Sequence, residues 1–235
     1  MKTGAPRYAL YYAPHPDSPW GRFGSDWTGR CAFYGGTCTQ RAPAGFDAGT
    51  FARLTAGPRR YGFHATLKPP FRLAQGRSLD SLTRALREAC RQEEGFELPP
   101  LKVRELDGFL ALVAEPMHEG SARIERLAAR MVEVFDPWRE PLSDEDRARR
   151  QPGRLDARER ELLERWGYPW VLDRFRFHFS LTGPLRGEQP SDIDRLREAA
   201  ATRLPRDPLR FDAVCVFEES TPGAPLRAIR RCALS

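Results

Sequence analysis

No uncharged apolar run in the sequence approaches the roughly 20 residues that a bilayer demands. The longest, YALYYA at 8–13 and FLALVA at 109–114, are far shorter, so no membrane partner is expected. A secretory pattern is missing too, because MKTGAPRYALYYAP holds no ordered succession of charge, apolar stretch and cleavage site. Cysteine is sparse and odd in number: Cys31, Cys38, Cys90, Cys215 and Cys232 show neither C-x-x-C nor zinc-site spacing. They read as reduced thiols of a cytoplasmic protein, small core residues without chemistry. Neither sign of charge dominates, since 38 Lys and Arg face 32 Asp and Glu for a net +6. That excess suits a small anionic partner but is too mild to identify one. A chain of 235 residues that is 40% hydrophobic and 30% charged is globular, not disordered, with room for one to two domains.

What the sequence does contain is a repeat. Residues 60–72, RYGFHATLKPPFR, align without a gap on residues 174–186, RFRFHFSLTGPLR, and six of thirteen positions are identical. Both segments lead into helix-like stretches at 78–90 and 191–204, where Ser78 and Ser191 stand at expected N-caps. Strands are expected at 8–14, 96–105, 107–116, 208–218 and 226–234, and helices at 46–55 and 120–135. The expected fold is therefore α+β, bilobal and duplicated. Two pseudo-twofold lobes, about 1–105 and about 106–235, would each carry an antiparallel or mixed sheet flanked by helices, with a cleft between them. Outside the repeat lie a Gly-, Pro- and aromatic-rich stretch at 14–45 and a charged segment at 138–170. The latter is expected as one or two helices broken at Pro152-Gly153, either a solvated face or a cover over the cleft.

Each repeated segment alternates as a strand does. Phe63, Ala65 and Leu67, and likewise Phe175, Phe177, Phe179 and Leu181, take one face. Arg60, His64, Thr66 and Lys68 take the other, as do Arg174, Arg176, His178, Ser180 and Thr182. The shared unit is His-x-Ser/Thr-apolar, which a random histidine begins about one time in twenty. Its recurrence at a half-chain offset points to chemistry. Hydrolysis of a phosphodiester needs a base at the attacking water and an acid at the departing oxygen, and imidazole serves as either near neutral pH. His64 and His178 are the candidate pair. The hydroxyls of Thr66 and Ser180 would donate to phosphate oxygens, and Lys68, Arg174 and Arg176 would offset its charge. No metal or other cofactor is expected, because no ligand spacing calls for one.

The twin motifs resemble the 2H phosphoesterase superfamily, which includes RNA-ligase-like (LigT-type) enzymes and 2′,3′-cyclic nucleotide phosphodiesterases. RYALYYAP, RRYGFHATLKPPFRL, RWGYP and FRFHFSLTGPL look most like its phosphonate-metabolism branch. The resemblance covers nearly the whole chain. It implies a bilobal fold, His64 and His178 as catalytic pair, Thr66 and Ser180 as phosphate ligands, and a small phosphorylated ribose as substrate. An RNA 2′,3′-cyclic phosphodiesterase is the rival enzyme, disfavoured because the positive charges are interspersed with acids rather than laid in a track. A non-catalytic phosphate-binding protein is the alternative from another class. Tyr11, Tyr12, Trp20 and Phe23 are candidate stacking contacts, although such aromatics usually pack a loop against the body. His15 and His118 are read as structural.

Overall fold

The computed structural model describes residues 4–115, 118–150 and 155–235, without the side chain of Arg149. The chain opens with β1 (Arg7–Tyr12), α1 (Pro19–Thr28), α2 (Ala48–Leu54), α3 (Ala56–Tyr61), β2 (Ala65–Phe71) and α4 (Leu79–Arg91). It continues through β3 (Phe96–Glu97), β4 (Leu101–Leu106), β5 (Phe109–Ala114), α5 (Glu119–Val134), α6 (Asp144–Arg150) and α7 (Ala157–Trp166). It closes with β6 (His178–Ser180), α8 (Pro190–Arg203), β7 (Arg210–Phe211), β8 (Ala213–Glu219) and β9 (Arg227–Ala233). The fold is α+β. No helix among the described residues is long and apolar enough to cross a membrane.

Seven strands form one antiparallel sheet in the order β4-β5-β6-β2-β1-β8-β9, beside a two-stranded ribbon of β3 and β7. This differs from the expectation of two lobes with a sheet apiece. The two His-bearing strands are neighbours, joined at Ala65↔Phe179. β4, from the first half, hairpins onto β5, whereas β8, from the second half, pairs with β1. Each half thus lends its third long strand to the other side of the sheet.

One face of the sheet carries the main core. Leu10, Tyr12, Leu67, Leu112, Phe179, Val214 and Val216 are buried there, against α4, α5 and α8. α4 forms because Ser78 and Ser81 make a reciprocal capping box and Leu82, Leu86, Ala89 and Cys90 recur on its buried side. α5 lays Ile124, Leu127, Ala128 and Met131 beneath the sheet, capped by His118, whose ring accepts from the Gly120 amide. α8 begins two residues earlier than Ser191 suggested, with Gln189 as cap and Pro190 in its first turn.

Two expectations are corrected here. The stretch at 14–45 contains a helix, α1, started by the Ser18 side chain and Pro19 and ended by Gly29 in the left-handed conformation. Its aromatics Trp20, Phe23 and Trp27 sit at helical spacing and enter the core. Gly24 lies inside this helix because the Phe63 ring packs where its Cβ would be, 2.1 Å away. The second correction is Lys68. Between Tyr11↔Thr66 and Leu10↔Lys68 the β1–β2 register slips by one residue, a bulge that turns Lys68 to the opposite face. Only 2% exposed, its ammonium donates to the Val132 carbonyl at 3.1 Å and lies 3.6 Å from Asp136. Burial pulls its pKa down to about 8 against the opposing charge of Asp136.

The 138–170 segment resolves into α6 and α7, and the break expected at Pro152-Gly153 lies outside the described residues. All five cysteines are free, and burial pushes the thiols of Cys90 and Cys215 up to about 12. Replacing Lys68 by Met is expected to destabilise the protein by about 1–3 kcal/mol, since the Val132 carbonyl loses its buried donor. The affinity for inorganic phosphate should stay within twofold of wild type. A large loss of phosphate binding with an unchanged melting temperature would contradict this placement of Lys68.

Candidate active site

The bridge at Ala65↔Phe179 sets the register of everything on the free face of the sheet. It brings His64 level with Ser180 and Thr66 level with His178. Directly opposed residues stand about 5 Å apart at Cβ and diagonal ones about 7–8 Å, so the imidazoles occupy one diagonal and the hydroxyls the other. Beneath them the rings of Phe63 and Phe179 stack at 4.7 Å and 17°, fixing the two strands to each other through the core. All four polar residues line one cavity of about 380 Å³, a volume in the range of small-molecule sites.

The two histidines have the same local geometry. Nδ1 of His64 is 2.8 Å from the Gly62 carbonyl, and Nδ1 of His178 is 2.8 Å from the Arg176 carbonyl. A carbonyl only accepts, so each Nδ1 carries the proton and each Nε2 is left for chemistry. Thr66 Oγ1 lies 3.3 Å from Nε2 of His64. The Gly62 carbonyl reaches this position because Gly62 adopts φ 77° and ψ 170°, a region open essentially to glycine alone. A Cβ there would also fall 2.5 Å from that of Ala32. Arg30, 6% exposed, steadies the same corner by donating to the carbonyls of Arg59, Arg60 and Leu226.

Burial lowers the His64 pKa to about 4, outweighing the Gly62 hydrogen bond, with His178 adding a smaller push in the same direction. His178 is lowered as well, by burial that outweighs the hydrogen bond to the Arg176 carbonyl, with the Arg176 charge adding a smaller push downward. Both rings are therefore neutral at pH 7. Tyr11, on β1, stacks on His64 with centroids 4.0 Å apart, and burial holds its phenol protonated far above the usual range.

The remaining walls come from distant parts of the chain: Arg7, Arg60, Tyr61, Pro69, Pro70, Arg150 and Tyr168. Three guanidiniums face this cavity and no carboxylate is among its lining residues. Arg150 is anchored by the carbonyls of Pro70 and Gly167, which brings the 138–170 segment into contact with the site. Among the described residues no group of three or more His, Cys, Asp or Glu is arranged to hold a metal ion.

The structure thus brings together His64, His178, Thr66, Ser180 and Tyr11 and leaves the other candidates elsewhere. Arg176 pairs with Asp107 and Arg174 with Asp156 at 2.8 Å. Both line an adjoining apolar cavity of about 320 Å³ that shares Thr66, Pro69, Tyr168 and His178 with the first. Tyr12 points into the core, where its hydroxyl donates to the Arg210 carbonyl and its ring stacks on Phe211 at 4.3 Å. Trp20 donates to the Asp207 carbonyl, and Phe23 packs on Trp27 and Phe63. Lys68 belongs to the opposite face.

Sequence reasoning overlooked Arg7, although it shares the Tyr11 face of β1 at a spacing of four residues and period two extends to it. Tyr61, Arg150 and Tyr168 gave no pattern to find, since only the fold brings them near.

Comparison with known proteins adds a family. The profile described as "Protein of unknown function (DUF1045)" matches residues 66–227, more than half the chain and inclusive of Thr66, His178 and Ser180. The chain belongs to the DUF1045 family. Two curated relatives are both named "Ribose 1,5-bisphosphate phosphokinase PhnN". The one from Janthinobacterium sp. (strain Marseille) is 41% identical over 224 residues, 93% of this chain and 49% of the relative. The one from Laribacter hongkongensis (strain HLHK9) is 38% identical over 225 residues, 95% and 51% respectively. This DUF1045 chain spans about half the length of the curated relatives it matches.

Anion occupancy between the histidines has a direct signature. Proton NMR titration is expected to show the His64 ring neutral down to a midpoint near pH 4, with His178 also titrating below 6.5. Inorganic phosphate should raise both midpoints by favouring the charged forms. Midpoints that do not respond to phosphate would mean that no anion lodges between the two rings.

Proposed function

We propose that this chain is a metal-independent phosphoesterase of the 2H type that opens a cyclic phosphodiester on a small phosphorylated ribose. The observation that carries the reading is the pairing of two locally identical His-x-Ser/Thr units across adjacent strands on the wall of one cationic cavity. The strand order is symmetric about that pair, with β5 and β1 outside β6 and β2, then β4 and β8, which supports a duplicated origin for the two halves.

In this reading the phosphate sits between the imidazoles, with the hydroxyls of Thr66 and Ser180 donating to its non-bridging oxygens. His64, the ring most strongly held neutral, accepts at Nε2 the proton of the attacking water. His178, protonated once the anion is bound, gives its Nε2 proton to the departing ribose oxygen. The new P–O bond to water forms as the P–O bond to the ring oxygen breaks, and a phosphomonoester and a free hydroxyl result. The arginines that line the cavity draw an anionic substrate into it.

The relatives' name assigns them a kinase acting on a ribose phosphate, which favours the same sugar class here and also raises a second reading. A nucleotide-dependent kinase built on a P-loop needs G-x-x-x-x-G-K-[ST] to cradle phosphates. The only lysines of this chain are Lys2, Lys68 and Lys102, preceded by Met1, Leu67 and Leu101. We therefore assign the kinase name to the half of those relatives that this chain does not match. The phosphonate-metabolism context implied by the sequence motifs agrees with a ribose phosphate substrate.

The test is a set of substrates (ribose 1,2-cyclic phosphates, nucleoside 2′,3′-cyclic phosphates, RNA cyclic ends, and ribose phosphates with ATP) offered to purified protein with EDTA. Turnover of the ribose cyclic phosphates is expected, falling by about 100-fold or more in His64→Ala and in His178→Ala. The pH profile of kcat/KM should be a bell with its acid limb near 4 from His64 and its alkaline limb below 6.5 from His178. ATP-dependent phosphorylation without cyclic phosphate turnover would instead establish the kinase reading.

A further inference from the structure

The cavity has two chemically different ends, and the histidine reading uses only one. At the other, Arg7 begins β1 directly opposite Glu219 on β8, on the face that carries Tyr11. Glu219 is wholly buried, with 0% of its side chain exposed, and it accepts from both Arg7 and Arg60. The Gly223 amide donates to it as well, at 3.0 Å. One carboxylate thus answers two guanidiniums. Glu219 takes Nε and one terminal nitrogen of Arg7 but only a terminal nitrogen of Arg60. The Nε of Arg60 is buried and has no hydrogen-bond partner. A guanidinium offers five N–H groups, and two guanidiniums against the one Glu219 carboxylate leave this corner with a net positive charge. Both arginines line the cavity that holds His64 and His178.

We propose that Arg7 and Arg60, oriented by Glu219, form a second anion subsite that binds a terminal phosphoryl group of the substrate, remote from the reacting phosphorus. Tyr11 is level with Thr66, and Arg7 precedes it by four residues on the same face, about 13 Å along the strand. An arginine side chain closes part of that span, and the remainder accommodates one sugar ring between the two anions. The substrate class is then a sugar that carries a cyclic phosphodiester at one end and a phosphomonoester at the other. A dianionic monoester complements paired guanidiniums better than a neutral hydroxymethyl group does. The inference rests on the proposed reading of the histidine pair for its reacting end, but the clamp itself binds without turnover.

Two measurements separate the claims. The first compares ribose 1,2-cyclic phosphate with and without a 5-phosphate as substrates for wild type, Arg60→Met and Arg7→Met. The preference for the 5-phosphorylated substrate is expected to drop about 10-fold or more in each variant, through KM rather than kcat, and Arg60→Lys should recover part of it. The second measures calorimetric binding of ribose 5-phosphate to wild type and Arg60→Met, with ribose as blank and melting curves to verify folding. Binding about 10-fold weaker in Arg60→Met supports the clamp, even if no cyclic phosphate is turned over, in which case the histidine reading alone fails. Equal binding of ribose 5-phosphate by both proteins, or an unchanged substrate preference, overturns the subsite. Should Arg7→Met not fold, Arg60→Met decides alone, since Arg60 is 35% exposed and Glu219 keeps Arg7 and the Gly223 amide in that variant.

Discussion

A single backbone bridge, Ala65 against Phe179, governs the geometry of this molecule's candidate site. Because side chains alternate along a strand, that one pairing decides that His64, Thr66, His178 and Ser180 share a face and that the imidazoles lie on a diagonal. A slip of one residue would bury the histidines among the core aromatics. The contact between these strands is short, yet it is not left to the backbone alone. The Phe63–Phe179 stack, the Trp27 indole donating to the Leu181 carbonyl at 2.9 Å and the Gly183 amide donating to the Leu54 carbonyl at 2.7 Å hold it from below. Aromatic packing on one side of the sheet thereby specifies the alignment of polar groups on the other.

The electrostatic character of the cavity follows from the same layering. Burial disfavours the imidazolium at both rings, and at His178 the charge of Arg176 adds to it. Their Nδ1 protons are committed to carbonyls two residues back, so the ring orientation does not depend on charge. Glu219 lies behind the wall rather than in it, and it organises arginines without presenting a carboxylate to the cavity. The outcome is a space lined by three arginines and no carboxylate, with two neutral imidazoles on its wall.

How much of this was legible in the sequence depends on how local each cause is. Period two and the repeat located the four polar residues because strand alternation is a local property and both motifs run undisturbed through it. Lys68 escaped the same rule for a local reason, the bulge in β2, which neither proline after it announces. α1 was hidden because its glycines look like loop residues, whereas Gly24 is there to admit the Phe63 ring. Tyr61, Arg150 and Tyr168 join the site only through tertiary structure, and no periodicity links them. The expectation of two separate sheets failed for a related reason. Composition and repeats reveal that a chain has halves, but not that β4 and β8 trade sides.

That trade ties the two halves into one cooperative unit. With β4 seated beside β5 and β8 beside β1, a fragment ending at the Asp107-Gly108 hairpin would lack the partner for one edge of β1 and leave β4 stranded. Pairings between residues more than 200 apart, such as Arg7 with Glu219, seat β8 inside the sheet between β1 and β9 and slow its formation through loop-closure entropy. The sheet therefore has no boundary that follows the division of the sequence into halves, and cutting the chain there would split both the β4–β5 and the β1–β8 pairings.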